Sequence, residues 1–216
     1  MPKEFFTVGA LLYKDYDLLD VNGSLRMLGS LKANFNIITV TQTGEHVTSY
    51  TPQIANYINY NFENCPDFDI LFIPGGVGTK DELKNSVFLD FIKQRVPKVK
   101  YVLTVCTGSG LLAKTGLLDG KKATTNKLVW NWMTSFGPNV EWVRKARWVV
   151  DGKFYTSSGV SAGMDMVLGF ISDIYGKEEA DKVALEAEYQ WHDDPHWDPF
   201  ADKLPGTVDM STIPSS

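Results

Sequence analysis

The stretch Tyr101-Val-Leu-Thr-Val-Cys106-Thr-Gly-Ser-Gly has the residue types and spacing with the most chemical content in the chain. An apolar run that reads as a strand meets a thiol and passes at once into small residues that read as a helix start. This is the strand–turn–helix logic of a nucleophile elbow, where a sharp turn exposes the reactive side chain. Small neighbours such as Gly108 let backbone crowd around the sulfur. The N–H groups and dipole of the following helix favour negative charge, so the spacing predicts a stabilised thiolate at Cys106. The pattern departs from G-x-Nu-x-G, because Thr104 stands where the first glycine would be. The competing reading is a buried structural cysteine, a common use of this residue type. Cys65, in Glu-Asn-Cys-Pro, has neither elbow nor base beside it and is expected to be inert.

The other reactive side chains offer less. The three histidines are His46, His192 and His196, none near Cys106 in sequence. His192 and His196 stand four apart, but Pro195 breaks the helix that a metal site of that spacing needs. No metal site is expected, and with two cysteines outside any C-x-x-C pair neither a zinc ribbon nor a disulfide framework is expected. A net charge of −5 argues against a nucleic-acid surface. The nearest thing to a basic run, Arg144-Lys145-Ala146-Arg147, reads as a solvated edge. No signal peptide and no apolar run long enough to span a membrane is found, so a cytoplasmic location is expected.

The elements that must position Cys106 follow from periodicity. With 216 residues, 44% of them apolar, the chain is expected to form one domain over 1–216, with 191–216 as an arm rich in Pro, Asp and aromatic residues. Short apolar runs at Phe6–Tyr13, Phe35–Val40, Asp69–Ile73 and Lys100–Val105 read as buried strands. Shorter ones are expected at 122–125, 140–142 and 148–150, and weak edge pairing over 48–61. Asp151-Gly152 before Phe154 signals a hairpin. Helices are expected from an Asn22 cap to Leu31, from a Ser86 cap to Arg95, and over 107–114 and 127–135. A long helix from a Ser161 cap to Gly176 and a helical stretch over 177–190 complete the set. Alternation of this kind predicts an α/β fold with an open, mostly parallel sheet covered by helices on both faces. Sites in such sheets form where loops leave the carboxyl ends of strands. The candidate loops follow Tyr13, follow Ile73 and contain Cys106.

Residues 104–125, Thr-Val-Cys-Thr-Gly-Ser-Gly-Leu-Leu-Ala-Lys-Thr-Gly-Leu-Leu-Asp-Gly-Lys-Lys-Ala-Thr-Thr, resemble the core of the DJ-1/PfpI superfamily. Within it the resemblance is to the isocyanide hydratase branch, also seen as the N-terminal domain of some AraC-type regulators. Leu19-Asp20-Val21-Asn22-Gly23, Ile73-Pro74-Gly75-Gly76-Val77-Gly78 and Ser158-Gly159-Val160-Ser161-Ala162-Gly163 resemble further segments of that branch in the same order. The resemblance implies a flavodoxin-like sheet, a homodimer and no cofactor. It also implies that Asp20 faces the nucleophile. A carboxyl packed beside a thiolate has a raised pKa and can serve as a general acid. Gly76 and Thr107 would offer backbone N–H groups to a developing negative charge. Gly75, Gly159 and Val160 would complete the oxyanion and substrate-binding set. One departure is Asn126, which stands where many members of the superfamily carry histidine.

The resemblance thus points to a hydratase that converts organic isocyanides to N-formamides. Cys106 is the nucleophile, Asp20 is the acid, a small molecule is the substrate, and no nucleic acid or membrane is a partner. Alternatives are a glyoxalase-like, deglycase-like or amidase activity, ligand-binding regulation, and redox sensing through Cys106. Asn126 counts against amidase chemistry, because an amide leaving group needs strong acid–base help. A regulator would need a DNA-binding segment after residue 190, which is not expected here.

Overall fold

Short apolar runs buried along almost their whole length build the centre of the molecule. In the computed structural model, which describes residues 4–216, β1 (Phe6–Leu11), β2 (Phe35–Thr41) and β3 (Tyr60–Asn61) lie parallel. They join β4 (Ile70–Ile73), β5 (Tyr101–Thr104), β8 (Trp148–Asp151) and β9 (Phe154–Ser157) in one seven-stranded sheet of order β3-β2-β1-β4-β5-β9-β8. Only the β8–β9 pair is antiparallel, closed by the hairpin turn at Gly152. A separate parallel ribbon pairs β6 (Lys122–Ala123) with β7 (Glu141–Trp142). In β4, Ile70 and Phe72 face one apolar layer while Leu71 and Ile73 face the other. Both faces of the sheet are therefore buried, as a parallel sheet requires.

The helices supply those layers. α1 (Leu18–Gly29), α6 (Ala162–Tyr175) and α7 (Lys177–Glu186) cover one face through Met27, Leu28, Phe170, Ile171 and Val183. The short α2 (Thr79–Glu82), α3 (Ser86–Arg95), α4 (Gly108–Lys114) and α5 (Trp130–Thr134) lie on the other, through Phe88, Phe91, Ile92, Leu111, Leu112 and Met133. Gly9 belongs in β1 because the Phe68 ring lies where its side chain would be; a Cβ would sit 2.6 Å from Cδ1.

Several boundaries differ from the sequence expectation, each for a local reason. Asp17, not Asn22, caps α1, accepting from the N–H groups of Leu19 and Asp20. Asn22 instead sits inside the helix and accepts from Asn56 Nδ2. Asn85 rather than Ser86 caps α3. Ser161 occupies the N-cap position of α6 as expected but makes no side-chain capping bond; its hydroxyl accepts from Arg147. Residues 48–59 form isolated bridges and no regular strand. The Arg144–Arg147 segment is not a solvated edge. Arg147 is 4% exposed and donates to Asp165 at 2.8 Å, and Asp165 also accepts from Tyr189 Oη and the His192 N–H. Residues 191–216 run as irregular chain with a single 3₁₀ turn at Met210–Thr212.

Candidate active site

The strand order reverses between β1 and β4, because the chain runs outward through β2 and β3 before returning. Such a switch point leaves a crevice at the carboxyl ends of the strands. Three loops meet there, after β1, β4 and β5, and glycines let them close on one another. A Cβ at Gly75 would lie 2.6 Å from the Thr107 nitrogen and 2.9 Å from Asp20 Oδ2. A Cβ at Gly108 would run into the carbonyls of Ile73 and Pro74. The Asp17 N–H donates to the Gly75 carbonyl at 2.8 Å, and Gly78 N–H to Asp15 at 3.0 Å.

Cys106 stands at the end of β5 with φ of +57°, the left-handed region that a non-glycine residue seldom adopts. The surroundings hold it there. Its N–H donates to the Ser158 carbonyl at 3.1 Å, and its own carbonyl accepts from Ser109 Oγ and Thr125 Oγ1. Behind the elbow, Tyr13 Oη donates to the Pro74 carbonyl, and the hydroxyls of Tyr13, Thr79 and Thr107 form a buried chain. Backbone strain that the fold maintains in this way is typical of reactive positions.

Asp20 projects from the first turn of α1 and is fully buried. Its Oδ2 accepts the Gly75 N–H at 2.8 Å. Its Oδ1 is buried with no hydrogen-bond partner. Burial raises the Asp20 pKa well above the usual carboxylate range. The Asp17 charge adds to the rise, while the Gly75 N–H opposes it. Burial thus favours the acid form over what an exposed carboxyl would show.

The sulfur itself departs from the sequence expectation of a stabilised thiolate. Burial pushes the Cys106 thiol up, and the charges of Asp20 and Asp17 push it the same way. Two donors act against this: Asn126 Nδ2, 3.1 Å from the sulfur, and the Val160 N–H. Val160 also has a positive φ, 45°. The dipole of a seven-residue helix is too weak to offset desolvation here, since it is worth about 0.3–1 kcal/mol in exposed settings. A protonated Asp20 takes its own charge out of this balance and leaves a donor in its place.

Asn126, noted in the sequence only for not being histidine, is therefore part of the site. Its Oδ1 accepts from the N–H groups of Leu128 and Val129, which orients the amide so that Nδ2 faces the sulfur. Gly159 makes room for it, since a Cβ there would lie 2.6 Å from Nδ2. We expect Gly159→Ala to fold, displace the amide and slow alkylation of Cys106 by roughly tenfold. That corresponds to losing one hydrogen bond to a charged group, about 1.5–3 kcal/mol at most. An unchanged alkylation rate in the folded variant would show that Asn126 does not tune the thiol.

The remaining predicted residues are placed as follows. The Gly75 N–H is engaged by Asp20, and the Gly76 N–H by Thr107 Oγ1 at 3.0 Å, so both have partners within the protein. Gly76, Thr107 and Val160 line a cavity of about 200 Å³ with Cys106, Asp17 and Asn126. Met210 and Ile213 of the arm complete its wall. Cys65 lies in the loop between β3 and β4, and its thiol donates to the Pro66 carbonyl at 3.3 Å. Iodoacetamide is expected to label Cys106, which opens on a cavity, ahead of Cys65. Peptide mapping that finds the reverse order would refute this.

The match to known proteins agrees with the fold. The DJ-1/PfpI family pattern covers residues 7–173. The isonitrile hydratase of Pseudomonas putida is 34% identical over 182 residues, covering 84% of this chain and 78% of that protein. The HTH-type transcriptional regulator GbdR of Pseudomonas aeruginosa is 31% identical, over 80% of this chain but only 47% of its own length. A ThiJ/PfpI family protein of Pseudomonas syringae superposes with a TM-score of 0.81 at 30% identity, covering 98% of this chain and 86% of that structure.

Proposed function

The chain belongs to the DJ-1/PfpI family, and from that premise we propose that it is a cysteine-dependent hydratase that converts organic isocyanides to N-formamides. The observation that carries this reading is a fully buried carboxyl whose pKa burial raises, together with an amide that donates to the Cys106 sulfur. Hydration of R–N≡C needs a nucleophile and a proton carrier but no base strong enough to expel an amine.

The steps balance as follows. The Cys106 sulfur attacks the terminal carbon and forms the S–C bond. Asp20 gives its proton to that carbon, and the thiol proton replaces it on Asp20. The product is a thioimidate, R–N=CH–S. Water then adds across the C=N bond, oxygen to carbon and one proton to nitrogen. The C–S bond breaks as the new hydroxyl becomes a carbonyl, and its proton returns through Asp20 to the sulfur. The formamide leaves and the thiol is restored. Asn126 and the Val160 N–H stabilise the sulfur whenever it carries charge.

Ligand binding without turnover is the second reading, supported by the likeness to GbdR, of which this chain matches about half. A panel of an alkyl isocyanide, methylglyoxal and a peptide amide, run on wild type and Cys106→Ser, separates these readings. Formamide release that depends on Cys106 is the expected result. Turnover of methylglyoxal alone, or of nothing, would overturn it.

A further inference from the structure

The cavity at Cys106 is not closed by the family core alone. The family pattern ends at residue 173, yet two side chains in the cavity wall, Met210 and Ile213, come from the arm beyond it. We propose that residues 198–216 are a specificity wall that restricts the substrate of Cys106 to a compact apolar substituent. This names the substrate class of the site and rests on the hydratase reading only for what that substrate becomes.

The arm is fastened on both sides of the cavity. On one side, Arg144 donates to the carbonyls of Ala201 and Leu204, Asn131 N–H donates to Gly206 at 2.9 Å, and Val208 N–H to Leu128 at 3.3 Å. Asp198 is buried beside the equally buried Lys127, 3.5 Å away. On the other side, Lys80 Nζ donates to the Ile213 carbonyl, Ser215 Oγ to Asp81, and the Ser216 N–H to the buried Asp15 at 3.0 Å. Between these two fastenings the chain makes its one 3₁₀ turn, which places Met210 in the core and Ile213 against it. The face they offer is wholly hydrocarbon and thioether. Together with Val77 and Val129 they leave about 200 Å³ beside the sulfur, with no cation among the lining residues. An anionic substituent has no cationic partner in that space, whereas a branched alkyl group can lie against Val77, Val129, Met210 and Ile213.

The test compares alkylation of Cys106 by iodoacetamide and by an iodoacetamide N-substituted with a naphthyl group, so its first arm does not depend on hydration. Wild type should react with the small reagent and largely exclude the bulky one. Met210→Ala and Ile213→Ala should raise the rate with the bulky reagent by about tenfold or more, the scale on which apolar pockets discriminate size. The rate with iodoacetamide should change little. Lys80→Met, which loosens the fastening without touching the cavity, should shift the ratio in the same direction even if the Met210 variant fails to fold. Equal rises with both reagents, or an unchanged ratio in every folded variant, would overturn the wall. In a second arm, tert-butyl, cyclohexyl and naphthyl isocyanides are offered to the same variants. A shifted alkylation ratio without any formamide would leave the wall standing and sink the hydratase. Formamide production with an unshifted size profile would sink the wall alone.

Discussion

Asp20→Asn is expected to lower turnover of an alkyl isocyanide by about 10²- to 10⁴-fold, the usual weight of a general acid–base group, while raising thermal stability at neutral pH. The loss in rate follows from the chemistry. Asparagine can accept from the Gly75 N–H, as Asp20 does, but it cannot deliver and recover a proton. The gain in stability follows from burial. The native carboxyl is held well above 3.8, the ordinary value. Between 3.8 and the raised native value, the folded protein binds a proton that the unfolded chain has lost. Stability therefore falls as pH rises through that window, and the contribution is intact only below 3.8. Asparagine has no such penalty. Melting temperatures should favour the variant at pH 7, and the difference should vanish in acid. A variant that melts lower at pH 7 and turns over normally would mean that Asp20 is only a helix residue.

Asp165→Ala is expected to be the most damaging change outside the site. Asp165 is fully buried; Arg147 Nε donates to it at 2.8 Å, and an Nη lies 2.8 Å from the same oxygen. The carboxylate also accepts from Tyr189 and His192, so one side chain ties β8, α6 and the start of the arm together. Removing it leaves a buried guanidinium without its counter-ion, which costs about 3–5 kcal/mol. In a chain of this size that corresponds to a fall in melting temperature on the order of 10 °C. The exposed pair Lys177–Asp181 gives the contrast: Asp181→Ala should leave the melting temperature nearly unchanged. Similar melts for the two variants would show that the Arg147–Asp165 pair is not a structural tie.

The sequence made the elbow legible because a strand, a thiol and a small-residue helix are consecutive. Local patterning therefore carried Cys106, the central strands and the 151–152 hairpin. Asp20 is 86 positions away from Cys106, and only resemblance pointed to it. Asn126 was visible as a missing imidazole, but nothing local shows that its amide reaches the sulfur. That depends on Gly159, which leaves space for it, and on the turn at Leu128 that fixes its oxygen. Asp17 rather than Asn22 caps α1; both are good capping residues, and the apolar pattern of the helix is weak enough to allow either start. Arg147 reads as surface by composition and is buried by pairing. The arm has no periodicity, so its contribution of Met210 and Ile213 to the cavity was legible only in three dimensions.

The central claim is that Cys106 forms a covalent bond to the carbon of an isocyanide and releases a formamide. The most direct measurement is intact-mass analysis of enzyme quenched during turnover of tert-butyl isocyanide, followed by peptide mapping and detection of tert-butylformamide. The expected result is a transient adduct equal to the mass of the isocyanide, on the peptide that contains Cys106 and absent in Cys106→Ser, with formamide accumulating beyond one equivalent per chain. Formamide produced equally well by Cys106→Ser, or a permanent adduct with no formamide, would contradict it.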